Sequence, residues 1–256
     1  MKDNELLFAE GLHVKYAGRS EYAVGGISFD VCRGEFVCLV GESGSGKTTA
    51  VMAALGLLPK GCEVSGRVSF EGADLLKLDY EHMRALRGRR IALVPQGAQN
   101  SFTPVRSIGS HIDEVLHVHF SMSSRAAKAR TAELLESVGL DAGVAHRYPH
   151  ELSGGQKQRA AIAAALAGDP VLLFADEPTT ALDVITQAGI LKLLNKLRTE
   201  RNLAVLLVSH DLPMAASVAS RMFVMKDGLI VEEGSPHKIV RSPEHPYTRR
   251  LVEAAL

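Results

Sequence analysis

At 256 residues the chain is long enough for one large domain that buries most of its apolar surface. Apolar residues make up 46% and charged residues 23%, the ordinary composition of a soluble globular protein. Lys+Arg and Asp+Glu both number 29, so no global basic field argues for nucleic acid as a partner. The start, Met1 to Glu5, is charged and lacks the apolar core of a signal peptide. No window approaches the roughly 18 apolar residues of a membrane span, and residues 160–167 are the longest candidate. Cys32, Cys38 and Cys62 show no metal spacing and cannot pair completely, so they read as buried small hydrophobes in a reducing compartment. The expectation is a cytoplasmic protein with no membrane anchor of its own.

Residues 6 to 40 read as β structure, with alternation at 6–9, 12–16 and 27–31 and then a continuous apolar run at 36–40. Tyr16 and Tyr22 fall on this sheet. An exposed aromatic there can stack on a purine, and a tyrosine packed at a strand edge fits almost as well. After the run comes Gly41-Glu42-Ser43-Gly44-Ser45-Gly46-Lys47-Thr48, which fits G-x-x-x-x-G-K-[ST] between a strand and a helix that opens at Thr49. Glycines let successive N–H groups converge on phosphate oxygens, and the helix N-terminus adds about half a positive charge. Lys47 is placed to reach the β- and γ-phosphates and the Thr48 hydroxyl to ligate Mg²⁺, so this stretch predicts a nucleoside triphosphate.

A hairpin is expected between 61 and 76, then a basic helix-prone segment from Tyr80 to Arg90 and a strand at 91–94. Gln96 closes that strand, where a side chain can touch Mg²⁺ or an attacking water; taken alone, it is also an ordinary solvated glutamine. From about Ile108 to Tyr148 helical periodicity takes over, as in a helical insertion into an α/β chain. Histidines 111, 117, 119, 146 and 150 lie here without metal spacing. Leu152-Ser153-Gly154-Gly155-Gln156 then opens an alanine-rich helix expected from Lys157 to Ala167, with Ser153 and Gln156 in a capping box. Its paired glycines leave N–H groups uncovered as a second phosphate site, although a plainly capped helix satisfies the local pattern.

Residues 171–175 form a continuous apolar run, as in a strand buried on both faces of a parallel sheet. The run ends in Asp176-Glu177, two acids where ligands bind in such sheets. Asp176 is suited to hold Mg²⁺ through water and Glu177 to polarise an attacking water. A third strand, 203–208, ends in Ser209-His210-Asp211. Asp227-Gly228 signals a hairpin between 222–225 and 229–232, and the tail from Ser242 is a turn followed by a short helix.

Taken in order, these motifs resemble an ATP-binding cassette ATPase over nearly the whole chain. The phosphate loop at 41–48 is followed by a Q-loop at Gln96 and a signature at 152–156. A Walker B strand at 171–176, the catalytic Glu177, a D-loop at 181–183 and the switch His210 complete the order. The resemblance implies an α/β fold: a P-loop NTPase (RecA-like) core, an N-terminal antiparallel β subdomain and an inserted α-helical subdomain. It implies a single domain over 1–256, with the helical part at about 97–156 and the rest in 1–96 and 157–256. Tyr16 matches the adenine-stacking position. ATP would contact Gly41, Ser43, Gly44, Ser45, Gly46, Lys47, Thr48 and Thr49 of one subunit, and Ser153, Gly154, Gly155, Gln156 and Asp183 of another, in a head-to-tail dimer. Thr48, Gln96 and Asp176 would hold Mg²⁺, with Glu177, His210 and Gln96 catalytic.

Residues 96–104 and Pro243-Glu244-His245-Pro246-Tyr247-Thr248 are similar to importers of dipeptides, oligopeptides and nickel. Some peptide-importer ATPases continue past this segment with a cysteine-containing extension, whereas the sequence here ends at Leu256, as in nickel or metal-chelate importers. The implied partners are membrane permease subunits, a sibling ATPase or a second copy and, indirectly, an extracytoplasmic substrate-binding protein. The implied place is the cytoplasmic face of the inner membrane. The permease contact is expected at Ile108 to Phe120. The alternative is a soluble accessory ATPase of carbon–phosphorus bond cleavage, with a similar size and tail.

Overall fold

The computed structural model describes residues 4–255; the charged start at residues 1–3 and Leu256 lie outside the described residues. Ten strands are described: β1 (Glu5–Lys15), β2 (Val24–Cys32), β3 (Phe36–Val40), β4 (Glu63–Phe70), β5 (Ala73–Asp74), β6 (Ile91–Val94), β7 (Leu172–Asp176), β8 (Ala204–Ser209), β9 (Arg221–Lys226) and β10 (Leu229–Gly234). Nine α-helices accompany them: α1 (Lys47–Ala54), α2 (Tyr80–Leu86), α3 (Ile108–Phe120), α4 (Ser124–Ser137), α5 (Gly154–Ala165), α6 (Val184–Arg201), α7 (Leu212–Ala216), α8 (Pro236–Arg241) and α9 (Pro246–Ala255). They fall into two compact units, residues 1–83 with 198–256, and residues 84–197.

The first unit holds two sheets. An antiparallel sheet runs β2-β1-β4-β5, as the alternating pattern predicts. The two apolar stretches expected at 6–9 and 12–16 merge, up to Lys15, into one strand, β1, with a register shift between Ala9 and Leu12. Gly11, at φ 55°, takes the extra residue, a bulge that an L side chain resists. The second sheet runs β10-β9-β3-β8, with β3 parallel to both β8 and β9. All residues of β3 and β8 are buried, which is why both read as unbroken apolar runs rather than alternating ones. Asp227 and Gly228 turn β9 into β10 with φ of 47° and 79°, both left-handed as a two-residue hairpin requires.

The second unit pairs β6 with β7 in parallel and carries α3, α4 and α5. α3 starts at Ser107, whose hydroxyl accepts the Ser110 N–H, and buries Ile108, Ile112 and Leu116 on one face. α4 is capped by Ser123 in the same way. His111 is structural: one ring nitrogen bonds the Thr103 N–H at 3.0 Å, the other the Ser107 carbonyl at 2.9 Å.

Three expectations need correction. α5 begins at Gly154 rather than Lys157, because the Ser153 cap satisfies the first-turn donors and leaves the glycines inside the helix. Tyr16 and Tyr22 lie in the loop between β1 and β2 rather than in a strand, since β1 pairing ends at Lys15. Cys38 is fully buried, and burial pushes its thiol pKa far up, but Cys32 and Cys62 are only half-buried.

Candidate functional site

In the first unit the loop Gly41–Gly46 leads from β3 into α1. Gly44 and Gly46 have φ of 83° and 101°, left-handed values that favour glycine. A Cβ on Gly46 would strike the Ala23 carbonyl, so the loop packs too closely for any side chain there. Lys47 is 4% exposed, and its ammonium donates to the carbonyls of Gly41 at 2.8 Å and Glu42 at 2.7 Å and to Ser45 Oγ at 3.2 Å. The lysine is therefore folded back across its own loop, with backbone oxygens around a charge that burial would otherwise make costly. The loop is braced by the β9–β10 turn, since the Gly228 N–H donates to the Ser45 carbonyl at 3.0 Å.

Thr48 is exposed at the start of α1, while Ser43 and Gly44 line the open side of the loop. Tyr16 Oη lies 3.0 Å from Thr49 Oγ1, which ties the β1–β2 loop to the first turn of α1. A cavity of about 520 Å³ in the second unit is lined by Ser107, Asp113, Lys128 and His146 among others, whereas one of about 620 Å³ in the first unit is lined by Tyr16, Tyr22, Gly44 and Asp227. The latter opens beside the phosphate loop and carries two aromatic side chains. His210 is exposed at the end of β8, with Ser209 Oγ accepting the N–H of Asp211 behind it.

The second unit gathers the remaining predicted residues. Gln96 follows β6, and Asp176 and Glu177 close β7, its parallel neighbour. The Gln96 amide donates to Glu177 Oε2 at 3.1 Å, and the Thr180 hydroxyl donates to the same oxygen at 3.0 Å. Asp176 is fully buried, and Glu177 adopts φ 46°. A left-handed non-glycine residue at a strand end stores backbone strain of order 1–3 kcal/mol. It turns the Glu177 carboxylate away from the strand and toward Gln96. Thr180 was not anticipated; the sole signal available was its position three residues after Glu177, within reach of one turn.

The signature residues form the N-terminus of α5. Ser153 accepts the Gln156 N–H at 3.3 Å, and the Gln156 amide oxygen accepts the Ser153 N–H at 3.0 Å, the expected capping box. Ser153 and Gly154 are exposed. A Cβ on Gly155 would lie 2.6 Å from Thr186 Cγ2, so glycine lets α6 approach the helix start. Asp183 caps α6, and the Thr186 hydroxyl and N–H hold its carboxyl below the usual range.

The donors predicted for a metal are a hydroxyl (Thr48), an amide oxygen (Gln96) and carboxylate oxygens (Asp176). This all-oxygen set suits Mg²⁺, which usually takes one or two protein ligands and completes its shell with phosphate oxygens and water. No cluster of three or more His, Cys, Asp or Glu side chains suited to a metal occurs among the described residues.

Known proteins resemble this chain in sequence and in fold. The family model for ABC transporters matches residues 24–180. The peptidoglycan transport ATP-binding protein YejF of Agrobacterium fabrum is 43% identical over 99% of this chain, which spans 46% of that protein's length. The oligopeptide transport ATP-binding protein OppD of Bacillus subtilis is 43% identical over 93% of this chain and 68% of its own. Among solved structures, the dimeric ATP-binding cassette MJ0796 in a post-hydrolysis state, bound to ADP and Pi, superposes with a TM-score of 0.79. It shares 30% identity and covers 90% of this chain and 99% of its own. The P-loop NTPase fold of these cassettes is the fold of this protein, and the chain belongs to the ABC transporter family as an ATPase cassette of its peptide-transport branch.

Proposed function

We infer that this chain powers import of peptides by hydrolysing ATP beneath partner membrane permeases, as one half of a head-to-tail pair of cassettes. The observation that carries the reading is the Gln96–Glu177 hydrogen bond at the ends of two paired strands, which holds a carboxylate ready for water beside a residue able to sense a neighbour. The peptide cargo rests on the names of the relatives, two of which are 43% identical to this chain over 93–99% of it.

In the reaction, the N–H groups of Gly44 through Thr49 cradle the phosphates, and Lys47 leaves the carbonyls of Gly41 and Glu42 for the β- and γ-phosphate oxygens. Tyr16 stacks on the adenine. Mg²⁺, when bound, would supply charge neutralisation to the phosphates. Thr48, Gln96 and, through water, Asp176 would hold it. Glu177 orients a water for in-line attack on the γ-phosphorus and takes up its proton as the bond to the leaving ADP oxygen breaks. His210 contacts the γ-phosphate, and Ser153, Gly154, Gly155 and Gln156 offer a second helix N-terminus to the nucleotide held by the partner. Asp183 belongs to the segment between these sites.

No helix among the described residues is long and apolar enough to cross a bilayer. As an importer ATPase it acts at the cytoplasmic face beneath the permease, and the substrate-binding protein works with it only through that permease. The test is a mild-detergent pull-down of the tagged protein from native cells, coupled to peptide uptake in a deletion strain. Polytopic subunits and a sibling ATPase should co-purify, and uptake should be lost. Recovery of soluble partners alone overturns the importer and favours an accessory ATPase.

A further inference from the structure

The tail of the chain reaches the phosphate loop through Tyr247. This side chain lies in the first turn of α9, 3% exposed, and its hydroxyl accepts the backbone N–H of Glu42 at 3.0 Å. Glu42 is the second residue of the loop, and its carbonyl accepts the Lys47 ammonium at 2.7 Å. One loop residue is thus held at both ends, by the tail at its N–H and by the loop lysine at its C=O.

The phenol is itself fixed from several sides. Lys226 Nζ lies 5.4 Å from its ring centroid, and the Tyr247 N–H donates to His245 Nδ1 at 3.2 Å. The Glu232 carboxylate accepts the N–H groups of Glu244 and His245 at 2.9 and 3.0 Å and so fastens the start of α9 to β10. Burial, with the charges of Glu42 and Asp227 nearby, pushes the phenol pKa up, so it stays neutral through the physiological range.

We propose that Tyr247 is a positioning residue for nucleotide binding. It holds the backbone of the Gly41–Glu42 segment in one conformation, so that the loop is already ordered when Lys47 leaves its two carbonyls for the terminal phosphates. This rests on the loop being the phosphate site. A loop with glycines at 41, 44 and 46 has many accessible backbone conformations, and each one lost before binding is a cost the nucleotide does not bear. The tail helix removes that freedom from outside the loop, 205 residues away in sequence.

The experiment compares the full-length wild type with Tyr247→Phe, which keeps the ring, its packing and the contact with Lys226 but removes the hydroxyl. Affinity for Mg-ATP is read with a fluorescent nucleotide, alongside KM, kcat and the thermal midpoint without nucleotide. The expected result is a Kd and KM raised roughly 5- to 20-fold, with kcat within about twofold and a midpoint lowered by no more than about 2 °C. A Kd within twofold of wild type, or tighter, overturns the proposal, as does a lower midpoint with unchanged Kd, which marks a merely structural role. Lys47→Ala is measured beside it. If it binds as wild type does, the loop is not the phosphate site and both readings fall. If it loses binding while Tyr247→Phe does not, only the role of Tyr247 falls.

Discussion

Glu177 carries two constraints at once: a carboxylate that must face water, and a backbone at φ 46° that glycine would accept more readily. The strain persists because Gln96 and Thr180 both donate to Oε2 and Pro178 follows within a buried turn. Glu177→Gln keeps the side-chain length, and its amide oxygen still accepts from both donors, so the turn should survive. What it loses is the ability to take a proton. Turnover should fall by roughly 10²–10⁴-fold with ATP binding kept within a few-fold, measured as phosphate release and nucleotide titration on one preparation. Unchanged turnover would remove Glu177 from the chemistry. The identity of this residue was legible in the sequence because two acids closing a buried apolar run are rarely left there idle. Its partners were not, since Gln96 is 81 residues away and only the pairing of β6 with β7 brings the two strand ends together.

At the scale of elements, strands whose apolar run or alternation is local were legible, as were helices with a cap, such as α3 behind Ser107 and α5 behind Ser153. α6 was not foreseen although it is 18 residues long. Its buried residues (Ile190, Leu191, Leu193, Leu194 and Leu197) begin only at the seventh position, while Val184 and Ile185 at its start are exposed, so no apolar stripe runs its whole length to advertise it. The fastening of α9 was equally hidden, because Glu232 looks like one more strand glutamate. Burial opposes its ionisation, but the N–H groups of Glu244 and His245 outweigh this and hold its pKa below the usual value. A lowered folded-state pKa contributes stability above the unfolded pKa, near 4.3, and loses it as pH falls through the folded value. Glu232→Gln leaves one acceptor oxygen for two N–H groups and should cost about 1–2 kcal/mol near neutrality. Urea unfolding checks this: the gap between wild type and variant should close as pH drops below about 4. A gap independent of pH would mean that the charge of Glu232 does not hold the tail.

Over the whole molecule, the arrangement of the machinery bears on assembly. The phosphate loop belongs to the unit of residues 1–83 and 198–256, and the signature helix to that of residues 84–197. Ser153 and Gly154 are exposed at the start of α5, which Ser153 and Gln156 close with a capping box. Under the proposed function, this helix N-terminus takes a phosphate of the nucleotide held by the other copy. In a head-to-tail pair each nucleotide lies between the loop of one copy and the signature of the other, so damage to the two motifs should complement in trans. Lys47→Ala and Ser153→Asp should each abolish hydrolysis alone, the first by removing the lysine and the second by setting a carboxylate against the γ-phosphate. Mixed one to one, half of the random pairs contain one of each chain. In such a pair one site joins both lesions and the other joins the intact loop of the Ser153→Asp copy to the intact signature of the Lys47→Ala copy. One restored site in half of the pairs amounts to roughly a quarter of wild-type activity, growing with concentration as pairing does. If the mixture stays as inactive as its components while both variants still pair by light scattering, the two motifs do not share a nucleotide across the dimer, and each copy must complete its site alone.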